Sequence, residues 1–281
     1  MRLRFLASAL ALALLAACEP EPTPVPLDFT SPGTAQDMVG RLITAAASSD
    51  VIMVEVQSNE VAVSVRKDSG PETYAYRDGQ IGQVETDLWY VDQASFDVSD
   101  FDISDVGALF RAAAGASGSA VNQRLQIVDY SGGKVMMTVS TNPESRAVFF
   151  TADGQLLETL DFGTPGGIAR GLAEVSGASV YAIGIDSKLG VWADSASDDE
   201  TIRRHRMAAV PVTTTATQGK PPGKPFSSSI VSAAAIWSIV SRHPGQDWSV
   251  EITATDKGVL MRFHFGDTEF TTTLAGKLVE S

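Results

Sequence analysis

Cysteine occurs once in these 281 residues, at position 18, and histidine three times, at His205, His243 and His264. A lone cysteine forms no disulfide within its own chain. The histidines stand far apart, with no HExxH pair, whereas a zinc site gathers three or four nitrogen, sulfur or oxygen ligands in close array. Three independent surface histidines and no metal are therefore expected. Serine is plentiful, yet there is no GxSxG elbow, no phosphate-binding glycine loop and no dinucleotide fingerprint. No nucleophile, base and orienting group can be named together, so the sequence predicts neither an enzyme nor a cofactor. Positive charge is scarce as well: 21 Lys and Arg stand against 34 Asp and Glu, a net charge of −13. Phosphate backbones and anionic headgroups repel such a chain, which excludes nucleic acid as a partner. Finally, no apolar run reaches the roughly twenty residues that a bilayer span requires.

What is present begins at the N-terminus. Arg2 and Arg4 precede an apolar run from Phe5 to Ala17, about thirteen residues, followed by small residues. That is the layout of a secretory signal. Leu15-Ala16-Ala17-Cys18 resembles the lipobox of bacterial lipoproteins. The resemblance implies a diacylglycerol on the Cys18 sulfur and a mature chain that starts there. It places the protein at a cell membrane, lipid-anchored and facing the extracytoplasmic side, with residues 1–17 as signal peptide. Two or more acyl chains hold a protein stably where one does so only marginally. Losing Arg2 and Arg4 takes the charge from −13 to −15, so lipid alone makes the attachment. Pro20, Pro22, Pro24 and Pro26 favour an extended tether over residues 18–33.

The body carries an internal repeat. Four segments share one order: helical pattern, strand, tight turn, strand, turn, strand, glycine turn, strand. The helical stripes are Val39, Leu42, Ile43 and Ala46 after Thr34; Val106, Leu109, Phe110 and Ala113 after Ser104; Ile168, Leu172 and Val175 after the Thr164-Pro165 cap; and Ile230, Ala233, Trp237 and Val240 after Ser228 or Ser229. A hairpin pattern follows each, most cleanly where Val54, Val56, Val61, Val63 and Val65 alternate onto one face. A second turn then recurs as RDGQI at 77–81, ADGQL at 152–156, TQGKP at 217–221 and LAGKL at 274–278. Its glycines, Gly79, Gly154, Gly219 and Gly276, supply the positive φ of a hairpin turn. The third unit comes out about ten residues longer than the others.

This predicts an α+β protein of tandem helix-plus-four-strand repeats, with antiparallel sheets, helices packed on one face, and two lobes, 34–162 and 163–281. The element order resembles the halves of PepSY-like domains and of the β-lactamase-inhibitor-protein fold. That likeness implies a sheet backed by helices, with the opposite face open for binding, and carries no function by itself.

Candidate binding residues are the aromatics Trp89 and Tyr90, in DLWYVD, and Trp192, in GVWAD. Exposed on a polar sheet face they would anchor a partner; between helix and sheet they would be core. The basic cluster RRHR, 203–206, is expected to offset Asp198, Asp199 and Glu200 close by. The carboxylates of DVSDFDISD, 97–105, lack the glycine and the terminal glutamate of an EF-hand loop, and suit an edge segment leading into a helix cap. The function these readings favour is a non-catalytic, lipid-anchored scaffolding or protein-binding module of the cell envelope, its partner an envelope or secreted protein. The alternative is a carrier of a lipid or small apolar ligand, which needs an apolar cavity of several hundred Å³.

Overall fold

The computed structural model describes residues 27–85, 93–143 and 146–279. Four helix-led units follow one another. The first is α1 (Thr34–Ala46), β1 (Val51–Val56), β2 (Val61–Lys67), β3 (Gly70–Arg77) and β4 (Gln80–Val84). The second is α2 (Val106–Ser117), β5 (Arg124–Ser131), β6 (Lys134–Ser140) and β7 (Ala147–Phe150). The third is α3 (Pro165–Val175), β8 (Ala182–Asp186), β9 (Gly190–Ser197), β10 (Glu200–Arg206) and β11 (Thr213–Gln218). The fourth is α4 (Ala233–Val240), β12 (Trp248–Thr255), β13 (Gly258–Phe265) and β14 (Thr268–Thr273). Units one and two form one seven-stranded sheet, β4-β3-β2-β1-β5-β6-β7, and units three and four a second, β11-β10-β9-β8-β12-β13-β14. Every strand pair is antiparallel. In units two and four the fourth strand is reduced to one bridge, Phe150 with Leu156 and Thr272 with Leu278.

Register follows from the alternating apolar residues. Tyr74, Val63, Val54, Ile127, Met137 and Phe150 lie side by side across six strands of the first sheet. They face Met38, Leu42, Leu109 and Phe110 of α1 and α2 in one core. In the second sheet Val191, Ile185, Val250, Phe263 and Phe270 form the matching row, against Ile168, Leu172, Ile236 and Ile239. Each fully buried Val or Leu contributes about 1.5–3 kcal/mol, and a one-residue slip would turn the whole row to the other face.

The way the helices begin reveals a repeat that periodicity alone missed. Leu27-Asp28-Phe29-Thr30-Ser31-Pro32-Gly33, Phe101-Asp102-Ile103-Ser104-Asp105-Val106-Gly107 and Leu160-Asp161-Phe162-Gly163-Thr164-Pro165-Gly166 are three versions of one motif. In each, the aspartate accepts the backbone N–H two residues on: Thr30 at 2.9 Å, Ser104 at 3.0 Å and Gly163 at 2.8 Å. The next residue, Phe29, Ile103 or Phe162, is buried. Within the first lobe two copies touch. Gly33 N–H donates to the Ser104 carbonyl at 2.7 Å, and a Cβ on Gly107 would stand 2.4 Å from the Thr30 carbonyl oxygen. Only glycine fits at 107.

Four expectations need correction. Gly219 does not close the third turn of unit three, because the β10–β11 turn is formed by residues 207–212 and Gly219 follows β11, bonded to Asp199. The fourth helix starts later than its pattern implied: Ser228–Ile230 is a 3₁₀ turn, Ser232 caps α4, and Ile230 is exposed. The DVSDFDISD stretch does lead into a cap, Asp105 on α2, but through a 3₁₀ turn at Val98–Asp100 with Asp97 and Asp102 bonded to Ser99 and Ser104. And the second face of the first sheet is not open across β2 and β3. Ser64, Thr73 and Ala75 are buried there, with Ser64 Oγ 2.8 Å from Thr73 Oγ1.

Among the described residues the two lobes meet at the β5–β11 edge and at the connector. The Ser131 hydroxyl, in the β5–β6 turn, accepts the Thr214 N–H at 2.8 Å and donates to its carbonyl at 3.2 Å, on the edge strand β11. At the connector, Leu160 N–H donates to Ala208 at 2.9 Å and Arg206 to the Glu158 carbonyl at 2.7 Å. Among the described residues no helix is long and apolar enough to cross a membrane.

Candidate binding face of the second sheet

Alternation along β9 sends Val191 and Ala193 into the core and leaves Trp192 and Asp194 on the face away from the helices. Opposite Trp192 stand Gly184 on β8 and His205 on β10. The glycine is what lets the indole lie down. A Cβ at 184 would fall 2.1 Å from the indole Cε2 and 2.2 Å from Nε1, so the ring rests on bare backbone. The Arg203 guanidinium sits over this ring, 3.9 Å from its centroid, a stacking contact of about 0.5–2 kcal/mol.

Arg203 is fixed in turn by Asp194, with Nε–Oδ1 at 2.7 Å and an amino nitrogen to Oδ2 at 2.8 Å. That bidentate pair gives the guanidinium a set orientation that a lysine could not reproduce. The hydrogen bonds that Arg203 donates to Asp194, with the charges of Asp194 and Glu251, push the Arg203 pKa further above its ordinary value against the effect of burial. The face therefore presents a fixed Trp–Arg–Asp stack. His205 borders it, its Nε2 donating to the Leu189 carbonyl at 2.8 Å.

The row continues from Trp192 through Gly184 to Glu251, Arg262 and Thr271 on β12, β13 and β14. Beside it His264 Nδ1 lies 3.4 Å from Glu269, which also faces Arg262 at 4.0 Å. Thr213 extends the row beyond His205, and Thr253 lies on the same face opposite Ala182. The result is a polar surface of mixed charge that carries Trp192 on β9.

The candidate residues thus fare differently. Trp192 lies on the sheet face rather than under a helix. Trp89, Tyr90 and Cys18 lie outside the described residues. The RRHR cluster does not offset the acidic turn at 198–200. Strand alternation splits it, sending Arg203 and His205 to the open face while Arg204 and Arg206 bond to Glu174 of α3. Asp199 is paired instead with Lys220 at 3.4 Å. The partner that orients Trp192, Arg203, was visible in the sequence, but its role was not, because Asp194 and Trp192 stand nine and eleven residues away.

The three histidines occupy separate places. His243 stacks on Phe265 at 4.1 Å behind the sheet, while His205 and His264 lie on different strands of the open face. Among the described residues no group of three or more His, Cys, Asp or Glu is placed to hold a metal ion. Between helices and sheet, buried apolar side chains form one core cluster in each lobe. Two open clefts lie at the surface, one of about 430 Å³ beside Ile43, Val51 and Phe96, and one of about 400 Å³ beside Val148, Phe149, Leu156 and Ala209. No protein-family model matches this chain, and no curated protein matches it.

Proposed function

We propose that this protein is a non-catalytic, lipid-anchored module of the cell envelope that binds another envelope or secreted protein through the open face of its second sheet. The observation that carries this reading is the Trp192 indole laid on Gly184 and held under Arg203, a preorganised aromatic and arginine pair on an otherwise polar surface. Aromatic and arginine anchors with their rotamers already fixed lose little entropy on association, and they dominate the energetics of protein interfaces. Cys18, diacylated, holds the chain at the extracytoplasmic side of the membrane.

Two measurements test the two halves of this proposal. A photo-crosslinking amino acid at Arg262, on the open face, should give a discrete adduct in intact cells. It should lose that adduct when Trp192→Ala is added, while the same probe at Ser238 on α4 gives none. No adduct from Arg262, or one indifferent to Trp192→Ala, would refute the binding face. Separately, Cys18→Ser should move the protein from the membrane to the soluble fraction, and persistence at the membrane would remove the anchor.

The carrier alternative has one observation in its favour, the cleft of about 400 Å³ with Val148, Phe149, Leu156 and Leu157 in its wall. Native mass spectrometry showing a bound lipid on the full-length protein would favour it over the binding face.

A further inference from the structure

The repeats themselves mark an incomplete place in the first sheet. In unit one the outer edge of β3 is paired with β4 along Thr73–Arg77, and in unit three β11 pairs with β10 along Glu200–His205. In unit two the chain starts the same manoeuvre. It turns at Gly154, forms the Phe150–Leu156 bridge and donates the Leu157 N–H to Phe149 at 2.8 Å. Then it leaves. The Glu158 carbonyl is taken by Arg206 and the Leu160 N–H by Ala208, which draws the connector into the second lobe. Beside the start of β7 nothing among the described residues replaces the missing strand.

The consequences for β7 are specific. Val148 and Phe150 are bonded inward to β6, and the Arg146 carbonyl accepts from Thr141, so Ala147 and Phe149 direct their backbone groups outward. Leu157 satisfies one of these, the Phe149 carbonyl. The N–H and C=O of Ala147 have no partner among the described residues. These groups open into the cleft of about 400 Å³, whose walls are Ala116 and Ser117 at the end of α2, Leu156 and Leu157 of the connector, and Ala209 of the second lobe. An unpaired edge beside an apolar groove is the geometry of strand addition.

We infer that the β7 edge is a strand-addition site for the extended, uncharged C-terminal tail of another polypeptide. The strands that occupy this place in units one and three, Gln80–Val84 and Thr213–Gln218, carry no charged residue, which sets the chemistry of the occupant. Direction sets the rest. The connector already holds the edge at Phe149 and Phe150, so a strand added antiparallel to β7 joins it past Leu157, at Ala147, and runs toward Arg146 to end beside that guanidinium. Arg146 donates to the Ser117 carbonyl and has no carboxylate partner among the described residues, so a terminal carboxylate completes it. This goes beyond the sheet-face proposal, concerns a different lobe, and stands or falls separately from Trp192.

The test uses full-length protein in detergent and the pentapeptide Thr-Val-Thr-Val-Val with a free C-terminal carboxylate. The peptide should bind saturably and slow hydrogen exchange at Ala147 and Phe149, whose N–H groups point outward. Affinity should fall at least about tenfold for the C-terminally amidated peptide and for Arg146→Gln. Ala147→Pro, which removes an outward N–H that an edge strand can spare, should abolish binding; if that variant fails to fold, the amidated peptide carries the comparison without any mutation. Absence of saturable binding, protection elsewhere in the chain, or equal affinity for the amide would overturn the proposal. So would saturable binding of laurate without peptide binding, which makes the cleft a lipid site, or concentration-dependent protection of the same amides without peptide, which makes the occupant a second copy.

Discussion

Arg206, wholly buried at the end of β10, places its Nε 2.7 Å from Oε2 of Glu174 on α3. Its remaining donors reach the carbonyls of Met207, Ala208 (3.0 Å), Val210 (2.5 Å) and Glu158 (2.7 Å). One side chain thereby joins the β10–β11 turn, α3 and the connector between the lobes. Burying a guanidinium is costly, and only such complete pairing makes it tolerable. Arg206→Leu leaves several carbonyls without donors and Glu174 without its nearest cation. Destabilisation of about 3 kcal/mol is expected in urea unfolding. A change below about 1 kcal/mol would mean that water replaces the arginine at no loss. Arg206→Lys should recover little, since a lysine offers three donors from one point where the guanidinium reaches five acceptors from three diverging nitrogens.

Gly184→Ala tests the seat of Trp192. The new Cβ cannot coexist with an indole 2.1 Å away, so the ring must rise and the Arg203 stack must break. The expected cost is about 1–3 kcal/mol, with increased quenching of tryptophan fluorescence by acrylamide. The comparison with Gly184→Ala/Trp192→Phe isolates the contribution of Trp192 from those of the other tryptophans. Unchanged quenching would show that the ring is not held on the glycine.

Two glycines in the first lobe should respond in opposite directions to alanine. At Gly107 the added methyl would lie 2.4 Å from the Thr30 carbonyl, forcing apart the starts of α1 and α2. A loss of about 2 kcal/mol is expected. Gly40, exposed in the middle of α1 with nothing within 4 Å of a Cβ, should instead gain about 0.5–1 kcal/mol from reduced freedom of the unfolded chain. Thermal unfolding of both variants checks the pair, and equal signs would contradict it.

The same junction should be pH-dependent. Hydrogen bonds from the Ser104 hydroxyl and backbone N–H hold the Asp102 carboxyl below its ordinary pKa. A carboxylate with a depressed folded pKa adds stability above its unfolded value, near 3.9, and loses it as pH falls through the folded one. Wild type should therefore exceed Asp102→Ala in stability at pH 7, and the gap should shrink on acidification below about pH 4. Urea midpoints of the two proteins at pH 7 and at pH 2.5 measure this. A gap that persists undiminished at pH 2.5 would assign the effect to packing rather than to the charge.

Much of the architecture was legible because its cues are local. A helix stripe such as Val106, Leu109, Phe110 and Ala113, or the alternation of Val54, Val56, Val61, Val63 and Val65, lies within one or two elements, and all of these residues are buried as their spacing requires. The third turn of unit three was misplaced for the opposite reason. A six-residue turn, 207–212, carries no Asp-Gly cue, and Gly219 beyond β11 imitated one. The recurring Leu/Phe-Asp-Phe/Ile motif at 27–33, 101–107 and 160–166 was present in the chain but falls between periodic segments, where hydrophobic counting has no purchase.

By itself, then, the sequence determined four helix-led units, their antiparallel hairpins and a net charge of −13, because hydrophobic period and turn chemistry act over a few residues. Tertiary structure alone decided which strands lie side by side, and with them every feature of the two candidate surfaces. Trp192 needs Gly184 beneath it and Arg203 above it, and the open edge of β7 exists because Arg206, 48 residues further on, holds the Glu158 carbonyl. Such contacts depend on long loops having closed, and no local propensity encodes which distant partner will be there when they do.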